Sequence, residues 1–254
     1  VGLGFCFLVN ALSYLAVVIA LFIMNTKELC HTPLIKKTKG QLREGLKYAK
    51  SSPIIRDVLL MGAIVGALAC EFSVSLPLLA QFTFSGDAGT YSILVLAMGV
   101  GSMIGGLIMA GQRRITPFSI VIVALLFGLF ILLTSVSPTL FLTVFLLVVV
   151  GFFHIYFASL GNIILQLESA SNMRGRVIAL WLVAYSGSVL MGGPIVGWVG
   201  QYVGPRWSLA LGGSAAVIAA IIGTRSLKKE KPVNISESVE IESAKARIGD
   251  TRIF

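Results

Sequence analysis

Two side chains with proton chemistry, Glu71 and His154, stand inside long apolar stretches of this chain. An ionised carboxylate at the centre of such a stretch in a bilayer costs about 2.5–3.5 kcal/mol on insertion scales, unless it faces a polar interior or a partner. Desolvation favours the neutral form of a carboxyl, which suits a carrier that takes up and releases a proton. A carboxyl kept protonated and hydrogen-bonded for packing alone is the competing reading. His154 is the candidate partner. Glu71 lies 13 residues from residue 58 and His154 lies 11 residues from residue 165, so at about 1.5 Å per residue their depths agree within a few ångströms. We expect the two to face a central cavity as a proton or cation pathway, against the plainer alternative of an intramembrane histidine bonded to a backbone carbonyl.

The elements that must position these groups follow from composition. Of 254 residues, 56% are hydrophobic and 12% charged, against the ~25% charged of an ordinary soluble domain, and the mean hydropathy is +0.93. Between residues 58 and 200 the charged residues are Glu71, Asp87, Arg113, Arg114, Glu168, Arg174 and Arg176. A spanning helix needs about 20 apolar residues. Seven windows qualify: 1–24, 58–82, 91–111, 117–134, 139–165, 177–199 and 207–224. An ordinary soluble enzyme, a disulfide-stapled secreted module and a disordered tail are thereby excluded.

The net charge of +9 would suggest nucleic acid in a soluble protein, but here it marks topology. Counted by separator, Lys and Arg number eight in 25–57, then none, two, none, two, one, and seven in the tail. Nineteen of the twenty therefore share a side if the spans alternate. By the positive-inside rule that side is the cytoplasm, which puts residue 1 outside, the C-terminus inside, and nucleic acid out of the expected partners. The first span has no basic residue ahead of its apolar run, so it does not read as a secretory signal. The chain is expected to begin partway through a larger protein.

In the 25–57 linker, Leu42, Leu46 and Ala49 fall at helical spacing with Arg43, Lys47 and Lys50 elsewhere around the helix. This predicts a basic amphipathic helix at the cytoplasmic interface, or else a solvated helix packed on the protein. The 225–254 tail is expected to hold little fixed structure. Cys6, Cys30 and Cys70 show no metal or redox spacing and read as reduced packing residues.

Local sequence adds a resemblance. Cys6-Phe-Leu-Val-Asn-Ala-Leu-Ser-Tyr14, Glu44-Gly-Leu-Lys-Tyr48 with Ser52-Pro-Ile-Ile-Arg56, and Leu76-Pro77 come first. Gly99-Val-Gly101 with Gly105-Gly106, Gln166 leading to Arg174-Gly-Arg-Val177, and Gly187 to Gly197 with Gly192-Gly-Pro194 follow. In this order and spacing, residues 1 to about 224 resemble the drug- and siderophore-exporting branch of the major facilitator superfamily, which includes bacterial enterobactin exporters and macrolide efflux pumps.

The resemblance implies an all-α membrane fold. Residues 1–24 correspond to the sixth of twelve helices, the last of an N-terminal bundle otherwise missing from the chain; 25–57 is the cytoplasmic linker and 58–224 the complete six-helix C-terminal bundle. It further implies that the spans carrying Glu71 and His154 are the cavity-lining seventh and tenth helices. The turn 110–114, with Arg113 and Arg114, resembles the basic turn between second and third helices of each half. It lacks the usual acidic residue, with Ala110 near its place, which leaves a charge-relay gate there in doubt.

Asn162, Gln166 and Tyr185 are further polar groups that could line a substrate path, although amides also join helices. Arg174 and Arg176 either mark topology or anchor an inward gate against acidic groups of the missing half. Gly101, Gly105 and Gly106 offer close helix crossing, and Gly192, Gly193, Pro194 and Gly197 allow a helix to bend and pack tightly. No HExxH, Walker A or GxSxG pattern occurs, so catalysis, cofactors and metals are not expected. The reading is a secondary transporter of the bacterial cytoplasmic membrane, handling a small molecule in exchange for protons by alternating access. A membrane scaffold or receptor built on the same bundle, or an inactive fragment, are the alternatives.

Overall fold

The computed structural model describes residues 3–23, 41–112, 114–227 and 233–234. It divides into two units, Val1–Lys39 and Gly40–Phe254. The first contributes α1 (Leu3–Ile23), an apolar helix exposed along its described length. The second contains α2 (Gln41–Ser51), α3 (Pro53–Ile64), α4 (Phe72–Leu78), α5 (Ala88–Ala110), α6 (Ser119–Val136), α7 (Leu140–Glu168), α8 (Arg174–Leu182), α9 (Val189–Tyr202) and α10 (Pro205–Leu227).

Among the described residues, six segments are long and apolar enough to cross a membrane: Pro53–Thr83, Ala88–Ala110, Ser119–Val136, Leu140–Glu168, Arg174–Tyr202 and Pro205–Thr224. In lipid a backbone must satisfy its own hydrogen bonds, so apolar runs of this length become helices. The first window of the sequence, 1–24, is not among the six; the described residues there hold a shorter apolar stretch, Phe7–Ile23. Residues 24–40 and most of 225–254, on which the expectations for the linker's first half and the tail fall, lie outside the described residues.

Helix ends follow local chemistry. Asp87 caps α5, its carboxylate accepting from the Thr90 amide at 3.1 Å, and that hydrogen bond holds Asp87 below the usual carboxylate range. Thr139 caps α7 by accepting from the Leu142 amide. Gly204, at φ +125, makes the left-handed turn between α9 and α10, and Pro205 opens the next helix. Apart from helix, Arg114–Ile115 pairs antiparallel with Val233–Asn234, which brings the α5–α6 loop and a piece of the tail to the same end of the bundle.

Two helix pairs form the frame. Along α5 and α7 the backbones nearly touch: a Cβ on Gly101 would lie 1.8 Å from the Val148 carbonyl oxygen, and one on Gly151 would lie 2.0 Å from that of Met98. The Ser102 hydroxyl donates to the Gly151 carbonyl across the same seam at 3.1 Å. α6 and α10 meet at Gly128 and Gly213, each with the other's carbonyl oxygen under its missing Cβ. Without a hydrophobic force between helices in lipid, such close approach supplies the dispersion contact that holds them. Gly105 joins the α5–α7 seam, but Gly106 has open space around it. Of the three glycines expected at a close crossing, Gly101 and Gly105 are in the seam and Gly106 is not.

Gly101→Ala forces the two backbones apart, and overpacking of this kind costs about 1–3 kcal/mol. A fall in the melting temperature of the detergent-solubilised protein is expected. Gly99→Ala, on the same helix but in open space, should leave it unchanged or raise it slightly.

Candidate functional site

The span that carries Glu71 is not one continuous helix. α3 widens into a π turn at Val65–Ala69, Cys70 leaves helical geometry at φ −97, ψ 8, and Glu71 at φ −81, ψ 43 starts α4. The Glu71 carbonyl accepts from the amides of Val74 and Ser75 at 3.2 and 3.0 Å. Pro77 sits within α4, and a second π turn, Leu79–Thr83, follows. Interrupted helices survive at membrane depth only where protein surrounds the break, and here the surrounding element is itself interrupted. Between α8 and α9 a π turn occupies Val183–Gly187.

The two interruptions abut. A Cβ on Gly66 would lie 2.1 Å from the Tyr185 carbonyl oxygen, and one on Gly192 would lie 1.4 Å from that of Ala67. The Cys70 thiol donates to the Tyr185 hydroxyl at 3.4 Å. The Tyr185 ring stacks on Trp181, with centroids 5.1 Å apart and planes within 3°. Trp181, 2% exposed, fills the space left by the absent side chains of Gly62 and Gly161, so α8 is keyed to α3 and α7 together.

Glu71 faces the same joint from the α4 side of the break. It is 3% exposed, and its Oε1 has no hydrogen-bond partner. Its Oε2 lies 3.5 Å from where a Gly193 Cβ would be. With Ser75, Ile131, Ser208 and Gly212 it lines a cleft too narrow to admit water, although the Ser208 hydroxyl, directed at Ser75 Oγ from 3.3 Å, is close by. A buried acceptor left without a donor costs about 1–3 kcal/mol, and more if charged.

His154 reaches the depth expected of it but not the contact. Its ring lies against Phe72 and Phe127, with centroids 5.9 and 6.0 Å away, while neither a hydrogen bond nor an ion pair joins it to Glu71. The physical reason is rotation. Phe72, one residue on and so turned by roughly 100° in a helix, presents its ring to His154, whereas Glu71 is directed towards α9 and α10.

The remaining polar candidates gather at one end of the bundle. The Gln166 amide donates to Asn162 Oδ1 one turn earlier, and the Gln166 carbonyl accepts from Arg174 Nε at 3.0 Å. Arg176 Nη1 pairs with Glu44 Oε2 of α2 at 2.8 Å. The acidic partner for Arg176, sought in the missing half, is thus supplied by the chain's own linker helix. Arg113 and the Arg114 side chain lie outside the described residues; the Arg114 backbone pairs with Asn234. Gly197 lies against Val74, and Pro194 sits inside α9, so the face Gly192, Gly193 and Gly197 follows the interrupted span along its length.

A family model described as a transmembrane secretion effector, a group of the major facilitator superfamily, matches residues 1–246. The chain belongs to that family. A curated relative, the Enterobactin exporter EntS of Salmonella typhimurium, is 26% identical over 188 residues, covering 71% of this chain and 44% of the relative. The chain thus spans less than half the length of that relative. As a major facilitator superfamily protein it is an all-α, multi-pass membrane protein of a transporter class, not an enzyme class.

Within this secretion-effector bundle, sequence reasoning missed Trp181 and Ser208, and met Glu44 only as part of a motif and not as the partner of Arg176. Glycine at 62 and 161 on two other spans is the signal for a bulky wedge at Trp181, but only pairing those spans reveals it. Glu44 and Arg176 are far apart in sequence and carry no common motif.

Replacing an unpartnered buried carboxyl with an apolar group of similar size removes its desolvation cost. Glu71→Leu is therefore expected to melt at the same or a higher temperature than the parent protein. A drop of several degrees would show that Glu71 is a structural group.

Proposed function

We propose that this chain is the C-terminal part of a secondary active exporter of the bacterial cytoplasmic membrane, which moves a drug- or siderophore-like small molecule by alternating access in exchange for protons. The carrying observation is Glu71: a buried carboxyl with an unpartnered oxygen, at a break in a membrane-spanning helix. Buried groups that are expensive to keep and make no structural bond are the ones retained for function. Membership of the secretion-effector family and the likeness to an enterobactin exporter support the transport class.

In this reading the substrate site lies between this bundle and N-terminal helices of the same protein. The span Arg174–Tyr202, whose most apolar 18-residue stretch is 11% buried, is the least covered of the six and suits that contact. Glu71 holds a proton while the cleft is dry. When the paired breaks rearrange, the carboxyl meets water on the opposite side and releases the proton there, so that inward proton movement accompanies outward substrate movement. His154, seated on Phe72 beside Glu71, senses the position of α4 through ring packing. The linker and the α7–α8 loop face the cytoplasm, with residue 1 outside and the C-terminus inside.

The test uses the intact protein in proteoliposomes, with export measured across pH. Glu71→Gln should retain substrate exchange down its own gradient but lose proton-driven accumulation by about tenfold or more, a change of ~1.4 kcal/mol or more in coupling. His154→Ala should alter rate while keeping the pH profile. A Glu71→Gln protein with parental pH dependence would remove the coupling role.

A further inference from the structure

We propose that the outward face of α2 is a binding strip for the headgroups of anionic phospholipids. α2 is oriented by its other face. Ala49 is 3% exposed, a Cβ on Gly45 would lie 3.2 Å from Arg176 Cβ, and the Tyr48 hydroxyl accepts from the Ala170 amide at 3.1 Å. On the flank, Glu44 is engaged by Arg176. These contacts tie one side of α2 to the α7–α8 loop and to the first turn of α8, and so set which residues point away.

Those residues are Arg43, Leu46, Lys47 and Lys50, all exposed. Spaced at i, i+4 and i+7, Arg43, Lys47 and Lys50 share a single stripe of the helix, with Leu46, 46% exposed, set among them. No acid lies on that stripe, since Glu44, the acidic residue of α2, is on the flank and already paired. The sequence spacing of Leu42, Leu46 and Ala49 suggested an apolar face. Ala49 is buried as expected, with Gly45 buried and Tyr48 half-buried beside it, whereas Leu46 belongs to the exposed cationic side and the Leu42 side chain lies outside the described residues.

Position identifies the occupant. Ser52 alone separates α2 from Pro53, where the first membrane-crossing segment begins. The headgroup layers add about 10–15 Å in all to a hydrocarbon core of ~30 Å, and a helix is about 10 Å across. A helix joined to a span by one residue therefore lies in or against that layer. Three clustered cations at this level attract anionic lipid, and an apolar side chain among them suits the boundary with acyl chains. Arg56, just beyond the start of α3, is paired with Asp57 at 2.8 Å and is not needed for the strip.

The test compares the full protein in neutral detergent with phosphatidylglycerol or phosphatidylcholine added at equal mole fraction, reading melting temperature and lipids retained in native mass spectrometry. Phosphatidylglycerol should raise the melting temperature by several degrees more than phosphatidylcholine, and high salt should erase the difference. The variant Arg43→Gln/Lys47→Gln/Lys50→Gln should lose that difference and about tenfold in phosphatidylglycerol affinity. Lys228→Gln/Lys229→Gln/Lys231→Gln should keep both. If the α2 variant folds poorly, Arg43→Lys, which preserves charge, and Lys47→Gln alone supply the comparison: full retention in the first and partial loss in the second. An undiminished lipid preference in the α2 variant, or an equal response to inorganic phosphate, would overturn the proposal. Because the readout is lipid binding, failure here leaves the transport reading to its own test.

Discussion

The structure depends on one constraint: inside a membrane a backbone that leaves regular helix must be covered by protein. Here that cover is reciprocal. The break at 65–71 lies against the break at 183–188, with Gly66 under the Tyr185 carbonyl and Gly192 under that of Ala67. Neither helix could sit so close if either glycine carried a side chain. Neither could bend here if the other were a smooth lipid-facing cylinder. Uninterrupted helices, α5 with α7 and α6 with α10, frame this joint.

Once the joint exists, the groups around it acquire their settings. Trp181 fills the hollow over Gly62 and Gly161 and carries Tyr185 on its face, so the π turn above it is held by stacking and by the Cys70 thiol. Glu71 begins the half-helix beyond the break and turns its carboxyl to the glycine face of α9. A continuous helix would place residue 71 by simple 100° steps. The widened turn before it changes that phase, so that Glu71 falls on the α9–α10 side and Phe72, one ordinary helical step on, falls on the imidazole of His154.

At the edge of the bundle, charge does a different job. Arg176 and Glu44 form a partly exposed ion pair, and pairs at the surface contribute about 0–1 kcal/mol on their own. Their role in orienting α2 comes with the closer packing at Gly45, Tyr48 and Ala49, which excludes rotation of the helix about its axis. Together they bring α2 and the α7–α8 loop to the same end of the bundle.

Sequence alone determined that this is a helical membrane protein, where its six bundle spans run to within a few residues, and which superfamily it belongs to. The physical reason is that hydrocarbon imposes a length and an apolarity that any spanning segment must meet, whatever it packs against. The depth of Glu71 and His154 was legible for the same reason, since rise per residue is nearly fixed. Their relation was not, because helix phase at a π turn depends on what the backbone can lean on. The partner of Arg176 was hidden because ion pairing between distant residues leaves no periodic trace. Tertiary structure alone decided that two broken helices meet, that Gly106 stays free of the seam its neighbour Gly105 enters, and that Leu46 faces outward with the cations. Each of these is a choice among rotations of a helix about its own axis, to which length and composition are blind.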